Sequence, residues 1–338
     1  MIGRALRYLL GKLRSSLFLT ATKLIPPRLA EKLLLRRLLS DEEYWPFTNI
    51  HMIHEIEKRL NTLEDPEGAN RYLHHRWVMI LNKTFDDLRA SNSQIPPNFH
   101  YLCLGAGQKN TFALPFLFHM AGAGKVYIVE PQKDIQHYSV FYGLQDMMLR
   151  LCLGRLDSDY FVKTPDVHER IKAFLNPEGF FERRDISQVL NPQSAVFYNE
   201  YFEDAKIPEN SIDLLTSRSA LEHVSDYEGC FARFSKVMKK GGGVMYHEIG
   251  LGGHSAKDPF HHYYLKSRES DKDPYGLNGL RVNDYIEAFT DGGFQCTVVD
   301  KTVLHDYTID RTRILERYRQ YSDENLRCEN VVLVCRKS

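Results

Sequence analysis

The sequence lacks the features that mark several classes of protein. No stretch approaches about 18 uninterrupted apolar residues, so no membrane-spanning helix is expected. The six cysteines include no CxxC pair, which predicts reduced core thiols rather than a disulfide or zinc framework. No group of histidines has metal-site spacing, so no metal is expected. Internal repeats, low-complexity tracts and a serine nucleophile elbow are also absent.

Net charge is absent as well, because the 338 residues include 44 basic and 44 acidic side chains. The balance hides an asymmetry, since residues 1–40 hold nine basic residues and one acidic residue, a net charge of +8, and the remainder carries −8. The acidic body, which has no Asn-Pro-Pro-aromatic motif, argues against a nucleic-acid partner. The excess positive charge of residues 1–40 suggests that this segment has an anionic partner of its own.

Leucines at helical spacing, with arginine and lysine between them, predict a basic amphipathic helix over residues 4–19. Three interpretations of this segment are open. Residues 1–25 lie on an anionic membrane surface, the helix packs on the body of the protein, or the segment is an organelle transit peptide. The first interpretation predicts a cytoplasmic protein that is peripheral on the inner face of a membrane.

Two regions of different character follow one another along the chain. Residues 1–95 are predicted to be helical, and residues 96–338 alternate short apolar runs with helical patterns. This alternation predicts an α/β fold with a mostly parallel sheet of seven strands, in which one of the last two is antiparallel because no crossover helix separates them. Residues 135–194 are too long for one crossover and predict a helical insertion. The predicted strands are 99–105, 125–130, 195–199, 211–217, 242–249, 294–300 and 330–336.

The first predicted strand ends in Gly105-Ala106-Gly107, and a helix follows. Glycines there let the backbone approach a ligand closely, and the helix start favours negative charge. Glu130 ends the next strand, where its carboxylate can accept hydrogen bonds from both hydroxyls of a ribose. Because Asn110 replaces the third glycine of a dinucleotide fingerprint, these residues favour another nucleoside ligand over a dinucleotide.

Residues 209–250 resemble class I S-adenosylmethionine-dependent methyltransferases of the type 11-like group. The matching signatures are Asp213, the Leu-Glu-His-Val run at 221–224 and the run at 237–242 that ends in two glycines. The resemblance extends over about residues 99–338, with a poor match in the insertion. It implies a Rossmann-like methyltransferase fold, methyltransferase activity and S-adenosylmethionine as the cofactor.

The same resemblance implies roles for individual residues. Gly105, Ala106 and Gly107 would hold the methionine part of the cofactor, Glu130 its ribose, and Asp204 the amino group of its adenine. The other cofactor-site positions that it implies are Ala205, Ser217, Arg218, Ser219 and His223.

Residues 247–265 and 275–294 resemble methyltransferases of bacterial glycan gene clusters. This second resemblance implies O-methylation of a sugar or glycan intermediate. Two alternatives stay open. One keeps the chemistry and changes the acceptor to a lipid, a quinone or a secondary metabolite. The other is a non-catalytic methyltransferase-fold scaffold at a membrane.

A hydroxyl acceptor must lose its proton during methyl transfer, and histidine titrates close to physiological pH. His254 lies in a glycine-rich loop after the fifth predicted strand and is the first candidate for the base. His247 and Glu222 are the other catalytic candidates, and His247 is alternatively a structural histidine at the strand end.

Overall fold

The structure is a computed structural model, and part of the chain is described in it. The predicted N-terminal helices before residue 73, including the basic segment 1–25, lie outside the described residues. None of the described helices is both long enough and apolar enough to cross a membrane. The described residues are 73–107, 111–135, 140, 143–144, 147–148, 151, 156–162, 167–176, 186–253, 258–264 and 277–338.

A seven-stranded sheet in the order β3-β2-β1-β4-β5-β7-β6 forms the centre of the molecule. Strand β7 runs antiparallel to both of its neighbours, and every other pair of adjacent strands is parallel. This topology confirms the predicted fold class, the seven predicted strands and the antiparallel strand. The strands are β1 His100–Leu104, β2 Lys125–Val129, β3 Ala195–Tyr198, β4 Leu214–Arg218, β5 Val244–Gly250, β6 Phe294–Val303 and β7 Cys328–Lys337.

Helices cover both faces of this sheet, which is why its central strands are continuous apolar runs. Each of β1 and β2 buries all its residues after the first. The first three helices pack on one face, and the fourth and fifth pack on the other. The helices are α1 Leu73–Ala90, α2 Ala113–Met120, α3 Val167–Phe174, α4 Tyr227–Val237, α5 Val282–Asp291 and α6 Asp323–Arg327.

A smaller aromatic cluster lies beside the carboxyl end of β5. It joins the segment 258–264 to residues 304–327, which connect β6 to β7. Because Gly250 of β5 pairs with Asn330 near the start of β7, this connection emerges at the edge where ligands bind in open α/β sheets. The buried members are Phe260, Tyr263, Ile309, Ile314, Tyr318 and Leu326.

Helix α1 packs directly on the sheet. The hydroxyl of Tyr246 in β5 donates a hydrogen bond of 2.8 Å to Asp87, and Lys83 forms ion pairs of 3.0 Å with Asp87 and with Asp300 of β6. Leu81 is fully buried in the same core cluster as the strands. The core of the sheet therefore begins before the predicted boundary at residue 95.

The described part of the predicted insertion, residues 135–194, packs against the same face as α2. The described residues between 140 and 151 are helical, and the five buried ones recur at helical spacing. The backbone N–H of Val162 donates to the carbonyl of Met120 at the end of α2. The buried side chains are Val140, Leu144, Met147, Met148 and Leu151.

The prediction that all the cysteines are reduced thiols was wrong for two of them. Cys296 of β6 and Cys335 of β7 form a disulfide. They lie directly opposite each other in the antiparallel register, a pairing that their sequence separation of 39 residues does not reveal. Cys103, Cys230 and Cys328 are free and buried, as predicted.

Truncating Leu81 to alanine tests whether α1 belongs to the core. The side chain is fully buried, so Leu81→Ala should lower the free energy of unfolding by about 2–5 kcal/mol in urea titrations. Met79→Ala on the same helix is the control, because Met79 is 69% exposed and should change that free energy by less than about 0.5 kcal/mol. Similar small effects of both variants would show that α1 is not docked on the sheet.

Candidate functional site

The turn after β1 lies at the carboxyl edge of the parallel strands, close to the end of β2. Gly105 has a φ of +69° and donates its N–H to the carbonyl of Val129 at 3.0 Å. A Cβ at this position would overlap the Cβ of Ala220, which follows β4. Gly107 has a φ of +83°, and a Cβ there would meet no heavy atom within 4 Å. The turn therefore needs glycine, is crowded on the β4 side, and has open space at Gly107.

Glu130 joins this turn to the end of β2. Its carboxylate accepts a hydrogen bond of 2.6 Å from the N–H of Gly107 and one of 3.0 Å from the N–H of Gln132, on different oxygens. The Asn199 side chain donates to the Glu130 carbonyl at 2.7 Å. Because each carboxylate oxygen has two lone pairs, each can accept one more hydrogen bond. The structure thus brings together the predicted glycine turn and the predicted ribose-binding acid.

This arrangement fits a nucleoside ligand. The open space lies at Gly107, next to a carboxylate that has acceptor capacity left for two hydroxyls. Asp204 lies in the turn after β3, the strand next to β2, and its side chain is exposed, whereas Ala205 is buried. Contacts of Asp204, Ala205 and Ala106 with a cofactor stay predictions.

His247 and Ser217 lie inside the core instead of at the edge. The Ser217 hydroxyl and His247 Nδ1 are 2.7 Å apart, and the imidazole stacks on Phe289 with ring centroids separated by 4.9 Å. Burial lowers the pKa of His247 to about 3, so the ring is neutral. A ring enclosed in this way does not reach an acceptor at the sheet edge. The geometry agrees with the structural alternative for His247, and a contact of Ser217 with a cofactor stays a prediction.

Arg218 and Glu248 form an ion pair on the opposite face of the sheet. They are register partners at the ends of β4 and β5, with Nη2 and Oε1 separated by 2.8 Å. Ser219 follows with a φ of +44° and donates its N–H to the Glu248 carbonyl at 2.9 Å. These contacts fix the end of β4 against β5 at the ligand edge, where Arg218 and Ser219 were predicted to line the cofactor.

Glu222 lies at the same edge in an unusual environment. It belongs to the 3-10 helix Leu221–His223 and is only 2% exposed. Its Oε1 accepts the N–H of Gly250 at 3.1 Å, whereas its Oε2 is buried and has no hydrogen-bond partner among the residues that the structure describes. Burial, with a smaller contribution from the negative charge of Glu248, raises the pKa of Glu222 to about 7. The carboxyl can therefore exchange a proton near neutral pH.

Asn278 attaches the segment before α5 to the Glu222 helix. Its N–H donates to the Glu222 carbonyl at 2.7 Å, and its side-chain amide donates to the Leu221 carbonyl at 2.8 Å. The Tyr285 hydroxyl in turn donates to the Asn278 side-chain oxygen at 3.2 Å. Sequence reasoning identified the Asn-Gly-Leu-Arg run at 278–281 by resemblance but missed its contact with Glu222.

Arg281 anchors the same segment, and in the described part of the chain its guanidinium has carbonyl partners and no carboxylate partner. The buried guanidinium donates to the carbonyls of Leu251 at 2.8 Å and of Asn325 and Cys328 at 2.6 Å. Because the last two carbonyls end α6, where the helix dipole is negative, they suit a buried cation. Arg281 therefore holds three segments together, namely the chain that follows β5, the chain that precedes α5 and the chain that precedes β7.

His254, the first predicted base, lies outside the described residues. The chain that leads to it is held in place, since Leu251 donates its N–H to the carbonyl of Glu329 and Gly253 donates to that of Pro259. His223, the remaining predicted cofactor residue, is exposed at the end of its 3-10 helix. In the described part of the chain, no three His, Cys, Asp or Glu side chains form a group that could hold a metal ion.

The raised pKa of Glu222 makes stability depend on pH. Its folded pKa of about 7 exceeds the ordinary value of 4.5, so the folded state binds more protons between these values and loses stability as pH rises. Glu222→Gln removes this ionisation and keeps the acceptor for Gly250. The variant should gain up to about 3 kcal/mol over the wild type between about pH 5 and pH 8 in urea unfolding. If the free energy of unfolding changed with pH in the same way in the wild type and in Glu222→Gln, the raised pKa would be contradicted.

A comparison with protein families matches residues 173–246 to the family described as "Methyltransferase domain". The matched stretch runs from the end of α3 to the third residue of β5 and includes the Glu222 helix, but not the glycine turn or Glu130. A search of curated proteins finds no match.

Solved structures with a similar fold come from several organisms. The YcgJ protein of Bacillus subtilis is 14% identical with a TM-score of 0.42, covering 78% of this chain and 98% of its own. A putative S-adenosylmethionine-dependent methyltransferase of Listeria monocytogenes is 13% identical with a TM-score of 0.35, covering 75% and 98%. Phosphoethanolamine N-methyltransferase 2 of Haemonchus contortus, in complex with S-adenosyl-L-methionine, is 13% identical with a TM-score of 0.41, covering 76% and 52%. No functional conclusion rests on these similarities.

Three observations agree with the predicted fold. They are the strand order with its single antiparallel strand, the family match over residues 173–246, and the glycine turn that faces Glu130. The chain has the strand order of the predicted class I methyltransferase fold, and its residues 173–246 match the methyltransferase domain family.

Proposed function

We propose that this protein is an S-adenosylmethionine-dependent methyltransferase that methylates a hydroxyl group of a sugar or glycan intermediate, with Glu222 as the proton acceptor. The observation that carries the proposal is the Glu222 carboxyl itself. It is buried at the ligand edge, one of its oxygens has no partner in the described part of the chain, and its pKa of about 7 suits proton transfer at physiological pH.

S-adenosylmethionine supplies an electrophilic methyl group on its sulfonium when it is bound. The turn at Gly105 and Gly107 and the carboxylate of Glu130 are the residues that would hold it. Both are fixed by hydrogen bonds to each other and to β2. Such fixed partners favour a single orientation of the ligand, and orientation accounts for much of the rate of a displacement reaction.

Glu222 is oriented by its two neighbours in the sheet edge. Gly250 fixes Oε1, and Asn278 fixes the backbone of the 3-10 helix, so Oε2 is the oxygen that can accept a proton. Proton transfer to Oε2 as the acceptor oxygen attacks the methyl group would leave a neutral, buried carboxylic acid. The low-polarity surroundings that raise the pKa of Glu222 also stabilise this neutral product.

The acceptor class rests on the resemblance of residues 247–265 and 275–294 to methyltransferases of glycan gene clusters. Asn278, in the second of these stretches, contacts the Glu222 helix, which supports an acceptor site there. A lipid-linked glycan would also suit a basic segment 1–25 that holds the enzyme on an anionic membrane surface. A lipid, quinone or secondary metabolite remains the rival acceptor class.

Glu222→Gln tests the proposed chemistry in a screen with labelled S-adenosylmethionine against sugars, nucleotide sugars and polar lipid extracts. With a sugar acceptor, the variant should turn over about 100-fold or more slowly, because general-base help is lost. Its affinity for S-adenosylhomocysteine should change by less than about threefold, because Glu222 is not among the residues that would hold the cofactor. The wild-type rate should rise with pH through about 7, and the variant should lose that inflection.

His254→Ala is the comparison variant, since His254 is the rival base. Normal turnover of Glu222→Gln together with an inactive His254→Ala would identify His254 as the base instead of Glu222. Transfer only to components of the lipid extract would reject the sugar acceptor.

A further inference from the structure

We propose that Arg317 binds a phosphate group of the methyl acceptor, so that the acceptor is a phosphorylated intermediate. This inference rests on the proposed function, because it adds an anion-binding residue to the acceptor side of the same site. It is carried by the position and the surroundings of the Arg317 guanidinium.

The guanidinium of Arg317 is held over an aromatic ring. Its Cζ lies 4.8 Å from the centroid of the Tyr318 ring, and Tyr318 is only 1% exposed. A buried ring is a fixed platform, and stacking on it leaves the N–H groups at the edge of the guanidinium available for hydrogen bonds. In the described part of the chain, those N–H groups have neither a carboxylate nor a carbonyl acceptor.

Other arginines of the connection between β6 and β7 do have such acceptors. Arg311 forms an ion pair with Asp323 and donates to the carbonyl of Tyr321 at 2.8 Å. Arg327 reaches the other oxygen of Asp323 at 3.5 Å. Arg317 therefore carries a positive charge that no carboxylate in the described connection between β6 and β7 pairs with.

Arg317 lies beside the segment that contacts Glu222. A Cβ at Gly279 would lie 3.7 Å from both Cζ and Nη2 of Arg317 and 2.7 Å from the hydroxyl of Tyr318. Gly279 has a φ of +77°, so glycine is needed both for the backbone conformation and for this close approach. Asn278, its neighbour, donates its N–H to the Glu222 carbonyl. The segment Asn278-Gly279 therefore contacts the Glu222 helix and also lies next to the Arg317 guanidinium.

A phosphate group is the anion that this arrangement suits best. The planar guanidinium matches phosphate oxygens with paired N–H donors, and phosphate carries more charge than a carboxylate. Sugars that are activated for transfer carry a phosphate on the anomeric carbon, so one such molecule offers both a phosphate for Arg317 and hydroxyl groups for methylation. The phosphate can belong either to a soluble sugar phosphate or to a lipid-linked intermediate, and both present the same chemistry to Arg317.

Calorimetric titration of the full chain, saturated with S-adenosylhomocysteine, tests the proposal. The probes are glucose 1-phosphate for the soluble source and geranyl phosphate for the lipid-linked source, with glucose and geraniol as uncharged controls. Arg317→Gln should weaken binding of at least one phosphate probe by about tenfold or more, because a charge-assisted hydrogen bond is lost. The probe that binds more tightly identifies the source of the phosphate.

Arg313→Gln is the matched control. Arg313 is also exposed and lies over a tyrosine ring, that of Tyr264, at 5.8 Å, but the side chains that approach Gly279 are those of Tyr318 and Arg317. It should leave phosphate affinity within about twofold of the wild type. Equal losses in both variants, no loss in Arg317→Gln, or no binding of either phosphate probe by the wild type would overturn the proposal.

The same variants separate this inference from the proposed function. Phosphate binding that depends on Arg317, in a protein that methylates no sugar, would reject the function and keep the anion site. Methylation of a sugar whose KM does not change in Arg317→Gln would reject the anion site and keep the function.

Discussion

The carboxylate of Glu130 connects the two turns on which the ligand edge depends. It holds the N–H of Gly107 on one oxygen and the N–H of Gln132 on the other, and so fixes the turn after β1 against the end of β2. Together with the N–H of Gly105 on the Val129 carbonyl, this link holds a turn whose glycines favour no single conformation. The same carboxylate keeps acceptor capacity for two more hydrogen bonds, which the predicted contact with ribose hydroxyls requires.

Glu222 and His247 are both buried, but burial affects the protonation of the two side chains in different ways. Alternation along β5 directs His247 into the core, where desolvation keeps its ring neutral, whereas Glu222 lies at the end of the sheet beside Gly250. Desolvation has the opposite consequence for a carboxyl, because it moves the pKa of Glu222 towards neutral pH. The same physical effect therefore leaves one candidate base inert and makes the other suitable for proton transfer.

The sequence predicted the strands and the cofactor edge because both depend on local patterns. Apolar runs identify strands that are buried on both faces, and Gly105, Gly107 and Glu130 follow β1 and β2 directly. Features set by register or by distant segments could not be predicted. The disulfide between Cys296 and Cys335 depends on how β6 pairs with β7, and the surroundings of Glu222 depend on Asn278.

The binding of S-adenosylhomocysteine to Glu130→Ala, measured by calorimetry, tests most directly whether this edge holds the cofactor. Glu130→Ala should weaken binding by about 1–3 kcal/mol, because the ribose hydroxyls lose their acceptor. Glu209→Ala should leave affinity unchanged, since Glu209 is an exposed acid in the turn before β4. Wild-type affinity in a folded Glu130→Ala variant would contradict the account.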